Sequence, residues 1–314
     1  MPVSMLRIML GLTILSDAAA TVPAQEAGGS ASTTKVRAAA ISFVPAKFDL
    51  EGNAGRLEKL FREAARGGAK IAVAPEGALD GYVVNEIIAG EASDSRMNEV
   101  AVPIDGPVIG RFRRLAAELR MCLVFGFAER IGKDVFNCAV FIDDSGRIRG
   151  KYHKMQLAEG YDDSWWFNRL GEESRAFDTP YGRCGLMICN DRWNADLARI
   201  PVLDGARFLI IPSYGSRSAE QDEAVLNRAR ENGVPIIEAN VGVTLLVDCG
   251  SVAAVDRKET GITYAELTIP PASTPDTAER DRLEKKFLDW RKEEMIRRLE
   301  KTRKRAAEKA TARP

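Results

Sequence analysis

The chain has 314 residues, 45% of them hydrophobic, which is enough material for one large core or two modest ones. Its 45 basic and 45 acidic side chains cancel to a formal net charge of zero, so composition does not indicate nucleic acid or an anionic membrane as the main partner. A single histidine, His153, excludes metal sites built from several histidines, and a Ser-His-Asp triad could use only this residue.

The amino terminus has the features of an export signal. An apolar run at 8–15 is followed by small residues at 18–20 and 22–24, either of which resembles a cleavage site. The run is too short to span a bilayer, which needs about 20 residues. We therefore expect a signal peptide at 1–24, no stable membrane insertion after its removal, and a flexible linker at 25–35. A disordered leader or an uncleaved anchor is the alternative.

From residue 36 onward, short apolar runs alternate with amphipathic segments, and this order predicts an α/β layered domain. The runs at 137–143 and 148–155, joined by turn residues 144–146, predict a hairpin and hence a mixed sheet rather than a purely parallel one. The other predicted strands are 36–43, 69–74, 122–127, 184–189, 208–212 and 235–240. The predicted helices are 53–66, 108–120 and 219–231.

Composition changes after Pro270 and Pro271, where the chain becomes rich in charge. Apolar residues recur there at helical spacing in two partial stripes, formed by Leu283, Phe287 and Trp290 and by Leu288, Met295 and Leu299. The pattern predicts a long surface helix that packs one stripe and exposes its interleaved charges. A contact with a partner or a second subunit is the alternative.

Five cysteines are few for a disulfide framework in a chain of this length, and their odd number leaves at least one thiol free if pairing is intramolecular. Cys122, Cys138 and Cys249 lie in or beside apolar stretches and are predicted to be buried, inert thiols. The sequence leaves open whether any pair forms in an oxidising compartment.

Three reactive side chains lie at or near the ends of predicted strands. Glu76 follows the run at 69–74, Lys154 lies in the run at 148–155, and Cys189 ends the run at 184–189. Strand ends in layered α/β folds are where clefts form, so we expect these side chains to converge. Taken singly, each pattern is ambiguous, because such residues are often a turn glutamate, a solvated lysine and a core cysteine.

Glu, Lys and Cys in this order and at this spacing resemble the nitrilase (carbon–nitrogen hydrolase) superfamily. Residues 137–146 and 228–242 are similar to further strand and helix motifs of the same superfamily. The resemblance covers residues 36–270 and implies an αββα sandwich, with 271–314 as a helical C-terminal extension. It also implies a homodimer or larger homo-oligomer, because members pair sandwich to sandwich.

The resemblance implies a catalytic triad of Glu76, Lys154 and Cys189. Cys189 would form a thioester with the substrate, and Glu76 would act as general acid and base. Lys154 and the main-chain N–H of Asn190 would stabilise the oxyanion. The implied reaction is hydrolysis of a linear amide or N-carbamoyl bond in a small molecule, without a metal or organic cofactor. The alternatives are acyl transfer from the same thioester and a non-catalytic exported binding protein of the same fold.

Many members of the superfamily have a second glutamate between the lysine and the cysteine. The best positional match here is Asp163, which has a shorter side chain, and Glu159 is the other candidate. Tyr82, Trp165 and Tyr214 are candidates to line the substrate pocket, although aromatic residues beside a reactive centre are often ordinary packing.

Arg192 bears on the substrate class. The segment from Cys189 to Arg192 resembles N-carbamoyl-amino-acid hydrolases, in which an arginine at this place holds a substrate carboxylate, as a bidentate pair can. The alternative is a structural arginine paired with a protein carboxylate. Trp193 replaces the second arginine of that subclass.

His153 is the neighbour of Lys154 in a predicted strand, and successive side chains of a strand point to opposite faces. We therefore expect a cleft that contains Lys154 to exclude His153. This argues against a Cys-His protease and predicts a structural or surface histidine.

Overall fold

The computed structural model describes residues 32–158 and 169–311. The predicted signal peptide at 1–24 lies outside the described residues, and so do residues 25–31 of the predicted linker at 25–35. The last two residues of that predicted linker belong to β1, which begins at Thr34. The strands are β1 Thr34–Ser42, β2 Ile71–Val73, β3 Cys122–Ile131, β4 Asp134–Ile142, β5 Ile148–His153, β6 Phe177–Thr179, β7 Gly182–Leu186, β8 Phe208–Ser213, β9 Ile236–Asn240, β10 Val243–Asp248, β11 Ser251–Asp256 and β12 Gly261–Ile269. The α-helices are α1 Leu50–Arg66, α2 Val84–Ile88, α3 Met97–Val100, α4 Pro107–Leu119, α5 Ala195–Leu203, α6 Ala219–Asn232 and α7 Thr277–Thr311, and 3-10 helices span Asp94–Arg96 and Cys189–Trp193.

The strands form two six-stranded sheets. The first sheet has the order β12-β1-β2-β3-β4-β5, and the second has the order β11-β10-β9-β8-β7-β6. Each sheet has three parallel strands at its centre, β1 to β3 in the first and β7 to β9 in the second, and antiparallel strands outside them. The mixed sheet predicted from the β4–β5 hairpin is confirmed.

Alternation along β1 shows how the layers pack. Val36, Ala38 and Ala40 belong to the core that the two sheets share, whereas Ala39 and Ile41 pack beneath α1 and α4. Helices α5 and α6 cover the outer face of the second sheet. The layers are therefore helix, sheet, sheet and helix, which is the predicted αββα sandwich.

Local sequence explains where α1 begins and which side it buries. The Asp49 side chain accepts a hydrogen bond from the Gly52 main-chain N–H at 3.0 Å, which caps the helix three residues earlier than predicted. Leu57, Phe61 and Ala64 recur at helical spacing, are fully buried, and face the first sheet.

Several elements were not predicted, and two predictions were wrong. Pro201 lies inside α5, and β11 is a largely exposed edge strand, so neither has a simple apolar pattern. The strand predicted at 184–189 ends at Leu186, and Cys189 instead begins a 3-10 helix. Cys249 is exposed rather than buried, because it lies in the turn between β10 and β11.

The C-terminal helix α7 buries part of each predicted stripe rather than one whole stripe. Leu283 and Phe287 of the first stripe and Met295 of the second are buried, whereas Trp290 of the first is 40% exposed. Helix α7 lies against α5 and so joins the helical layer of the second sheet. Within the described ranges, none of the helices has both the length and the apolar character needed to cross a membrane.

Gly126 of β3 provides a test of how closely the loop after β2 approaches the first sheet. A Cβ at Gly126 would lie 2.5 Å from the Glu76 Cα and 2.9 Å from the Gly77 nitrogen. We expect Gly126→Ala to destabilise the fold by about 1–3 kcal/mol, because main-chain atoms must move. The matched control is Gly55→Ala in α1, where no atom lies within 4 Å of the new methyl group. Urea unfolding that finds the two variants equally stable would contradict this prediction.

Candidate active site

Glu76 lies in the loop that follows β2, and this loop is held against β3. The Gly126 N–H donates to the Pro75 carbonyl at 3.0 Å, and the Ala78 N–H donates to the Gly126 carbonyl at 2.9 Å. The Glu76 side chain is fully buried. The loop therefore presents a carboxylate inside the protein at the end of a central strand.

The Glu76 carboxylate accepts three hydrogen bonds. Its Oε1 accepts from the Asn137 Nδ2 at 2.6 Å and from the Lys154 Nζ at 2.8 Å, and its Oε2 accepts from the Tyr214 main-chain N–H at 3.0 Å. A buried carboxylate is tolerated only with such partners. Asn137 lies in β4 and Lys154 directly follows β5 of the first sheet, whereas Tyr214 directly follows β8 of the second.

Lys154 directly follows β5, and both its main-chain N–H and its main-chain carbonyl form hydrogen bonds. Its N–H donates to the Asn137 carbonyl at 2.9 Å, and its carbonyl accepts from the Gly171 N–H at 3.0 Å. The side chain is 1% exposed and lies beside Glu76. His153 points away from this site and contacts Glu129 instead, as strand alternation predicts.

Cys189 begins the 3-10 helix that follows β7, and it is partly exposed. Its thiol donates to the Tyr214 carbonyl at 3.7 Å, while the Tyr214 N–H donates to the Glu76 carboxylate. The main chain at Cys189 has a φ of 46°, a left-handed conformation that is uncommon for a side-chain-bearing residue. The structure therefore brings together Glu76, Lys154 and Cys189, the three residues that the sequence places at the ends of apolar runs.

Asp191 joins the turn at 188–193, here called the cysteine turn, to the segment at 154–157, here called the lysine loop. Its carboxylate accepts from the Ile188 N–H, from the Gln156 N–H and from the Tyr152 hydroxyl, each at 2.9 Å. Burial raises the pKa of Asp191 to about 6, against the opposing effects of the Lys154 charge and these hydrogen bonds.

Electrostatics keep the cysteine protonated in the resting site. Burial raises the pKa of the Cys189 thiol to about 11, and the Glu76 carboxylate adds to the rise. The positive charges of Lys154 and Arg192 act in the opposite direction. A thiol with this pKa is protonated at neutral pH, so it needs a base beside it in order to attack a substrate.

A family model and several known proteins match the sequence of this chain. The model of the carbon–nitrogen hydrolase family matches residues 37–271. The chain belongs to this family. It is 31% identical over 227 residues to N-carbamoylputrescine amidase from Oryza sativa subsp. japonica, covering 70% of this chain and 71% of the relative. Citrullinase from Francisella tularensis subsp. tularensis is 29% identical over 201 residues, covering 60% and 68%.

Solved structures show the same fold. A double mutant of the amidase from Nesterenkonia sp. AN1, in complex with acrylamide, matches this hydrolase with a TM-score of 0.63 at 20% identity, covering 78% of this chain and 93% of that one. The predicted nitrilase superfamily and its αββα sandwich are both confirmed by these comparisons.

Two of the three aromatic candidates, Tyr82 and Tyr214, lie within the described residues. Tyr82 is 4% exposed and stacks on Tyr214, with ring centroids 4.8 Å apart. The pair packs beside the site, since the Lys154 Nζ lies 6.0 Å from the Tyr82 ring centroid. Trp165 lies outside the described residues, and so do both candidates for the fourth polar residue, Asp163 and Glu159.

Asn190 and Arg192 belong to the same 3-10 helix as Cys189. The Asn190 side chain donates to the Gln156 and Leu157 carbonyls at 3.3 and 3.4 Å. Arg192 is 1% exposed and forms a buried ion pair with Glu238 at 2.5 Å. For Arg192 this geometry matches the structural alternative rather than an exposed carboxylate receptor.

Three residues of the site were not singled out from the sequence as site residues, although each left a signal. Asn137 is a polar side chain within a predicted strand, Glu238 interrupts an apolar run, and Asp191 directly follows two polar or reactive residues. All three are buried with hydrogen-bond partners. A buried polar residue within an apolar strand is thus the signal that could have identified Asn137 and Glu238.

Helix α7 also reaches the lysine loop of this hydrolase. The Arg291 guanidinium donates to the Gly171 carbonyl at 2.5 Å and to the Met155 carbonyl at 3.3 Å. About two turns further on, Arg298 donates to the Leu157 carbonyl at 3.1 Å. The C-terminal helix therefore fixes the main chain that leads away from the buried lysine.

One group of potential metal ligands occurs in the part of the chain that the structure describes. The ligating atoms of Glu129, Cys138 and His153 lie within 4.8 Å of one another. Both carboxylate oxygens of Glu129 already have partners, Lys151 at 2.6 Å and His153 at 2.5 Å, and His153 stacks on Phe136. These contacts describe an ion-pair cluster at the end of the first sheet.

The raised thiol pKa predicts how Cys189 responds to pH. Its alkylation by iodoacetamide should accelerate about tenfold per pH unit from pH 7 to 10 without a plateau, because the thiolate fraction still rises below a pKa of about 11. Glu76→Gln removes a charge that raises this pKa, so the alkylation rate of the variant should level off at a lower pH than that of the wild type.

Mass spectrometry of the alkylated peptides measures both rates, and the exposed Cys249 provides an internal reference in each sample. A plateau near pH 7 in the wild type, or a pH profile that Glu76→Gln does not shift to lower pH, would show that the electrostatic account of the thiol is wrong.

Proposed function

We propose that this hydrolase cleaves a linear amide or N-carbamoyl bond of a small molecule through a cysteine thioester, with Glu76, Lys154 and Cys189 as catalytic residues. The observation that carries the proposal is the double contact of Tyr214, whose N–H donates to the Glu76 carboxylate and whose carbonyl accepts from the Cys189 thiol. The Lys154 ammonium lies against the same carboxylate. A nucleophile, a base and a positive charge thus share one site.

In the first half of the reaction the Cys189 sulfur attacks the carbonyl carbon, and the thiol proton passes to the Glu76 carboxylate. The carbonyl oxygen becomes an oxyanion, which the Lys154 charge and the Asn190 main-chain N–H stabilise. The C–N bond then breaks, and the proton on Glu76 passes to the leaving nitrogen. Ammonia or an amine departs and the thioester remains.

In the second half a water molecule attacks the thioester. Glu76 accepts the proton from this water and returns it to the departing sulfur, so the thiol of Cys189 is restored. The same charge and N–H donor serve the second oxyanion. Both halves can use one base because the carboxylate accepts a proton and releases it again within each half.

The substrate class rests on the relatives. The names of the two sequence relatives describe an amidase of N-carbamoylputrescine and a citrullinase, and the neighbouring structures describe amidases. Linear amides and N-carbamoyl amines both present a planar carbonyl with a nitrogen leaving group. These are the compounds to test first.

The test is ammonia release from a panel of amides, N-carbamoyl compounds and nitriles. Cys189→Ala should abolish turnover, and Lys154→Met should lower kcat by about 10²–10³, the usual effect of losing one oxyanion donor. The matched control is Cys249→Ser, which alters an exposed thiol and should leave the rate unchanged.

Turnover that survives Cys189→Ala would sink the thioester mechanism. Product analysis with and without an added amine gives a second measurement, since an amide product that replaces the acid would identify an acyltransferase. Absence of turnover together with unreactive Cys189 would support a non-catalytic binding protein.

Export and self-association remain part of the proposal. Residues 1–24 have signal-peptide composition, and the superfamily pairs its sandwiches. N-terminal sequencing of the protein from its own host should find a start near residue 25, and an intact Met1 on intracellular protein would refute export. Light scattering of the mature protein should give the mass of a dimer or larger assembly.

A further inference from the structure

Each of the three side-chain nitrogens of Arg192 donates a hydrogen bond to a protein atom. Its Nε donates to the Cys189 carbonyl at 2.6 Å, one terminal nitrogen donates to the Glu238 Oε1 at 2.5 Å, and the other donates to the Ser213 hydroxyl at 2.6 Å. Only 1% of the side chain is exposed. A guanidinium held in this way has a fixed position and orientation.

Glu238 is the reason that Arg192 stays in place. It lies in β9, is fully buried, and also accepts from the Gln221 side chain at 3.3 Å. Its Oε2 has no hydrogen-bond partner among the described residues. Burial raises the pKa of Glu238, and the Arg192 charge beside it opposes that rise.

The bond from Arg192 to the Cys189 carbonyl has a consequence for the next peptide group. The Cys189 C=O and the Asn190 N–H belong to one planar trans peptide, so they point in opposite directions. The arginine holds the carbonyl toward the buried side, and the N–H is therefore directed the other way. Cys189 has a left-handed φ of 46°, a conformation that persists only when its surroundings fix it.

We propose that Arg192 is a positioning residue, which orients the Cys189–Asn190 peptide so that its N–H can stabilise the oxyanion, and that it does not bind a substrate carboxylate. The inference rests on the proposed function, because the N–H matters only if a tetrahedral intermediate forms. It predicts that a carboxylate near the scissile bond is not required for turnover. Neutral amides should be accepted as well as anionic ones.

Butyramide and succinamate are the matched substrates, since they differ in a terminal methyl or carboxylate. Arg192→Lys keeps the charge beside Glu238 but cannot reach three acceptors together. We expect kcat to fall by about 10–10² for both substrates, a partial loss of one oxyanion donor, with KM changed less than about threefold.

Alkylation of Cys189 by iodoacetamide and by iodoacetate gives a readout that forms no oxyanion. Both rates should stay within about threefold of wild type in Arg192→Lys. A selective loss with iodoacetate, or a raised KM for succinamate alone, would mean that Arg192 binds carboxylates. A lowered Tm together with similar fold-losses in the alkylation rate and in kcat would mean that Arg192 only supports the fold. Either result overturns the inference.

A double variant, R192Q/E238Q, guards against unfolding by an unpaired buried charge. It removes the ion pair as a unit, and kcat should fall at least as far as in Arg192→Lys while the protein still melts cooperatively. If wild type hydrolyses butyramide and these variants keep its kcat, the inference alone fails. If wild type hydrolyses none of the amides, N-carbamoyl compounds or nitriles in the panel, the proposed function fails and the inference with it.

Discussion

The site depends on one buried carboxylate and the hydrogen-bond donors that hold it. Glu76 has no exposed surface, and its three hydrogen bonds come from Asn137 in β4 and Lys154 just after β5 of the first sheet and from the residue that follows β8 of the second. Removing one partner of a buried ion pair typically costs about 3–5 kcal/mol. The packing of the two sheets is therefore what allows a negative charge, a lysine and a cysteine to occupy one place.

The cysteine turn has its own set of supports. Asp191 ties the turn to the lysine loop, and Arg192 ties it to β9 through Glu238. The thiol itself is not activated in advance, because burial and the nearby Glu76 carboxylate raise its pKa. This arrangement differs from enzymes that keep a thiolate ready beside a cation. In the proposed mechanism, proton transfer to Glu76 accompanies attack on the substrate.

Alternating strands and helices indicated an α/β layered domain, whereas the αββα sandwich and the set of Glu76, Lys154 and Cys189 were implied by the resemblance to the nitrilase superfamily. The sequence did not indicate α5, where Pro201 obscures the helical pattern, nor the exposed edge strand β11. The partner of Arg192 could not be predicted either, since Glu238 lies on a different strand far along the chain. Local patterns give elements and strand ends, but pairing across the fold depends on tertiary packing.

Position 214 has an unusual property among the parts of this site. Both of its contacts with the reactive groups use main-chain atoms, the N–H toward Glu76 and the carbonyl toward Cys189. A scan that truncates side chains would therefore remove the stacking on Tyr82 and the contact with the Lys47 ammonium but would leave both of these links intact. Among the common residue types, proline alone lacks the required N–H. A position can thus hold two halves of an enzyme together while tolerating many amino acids.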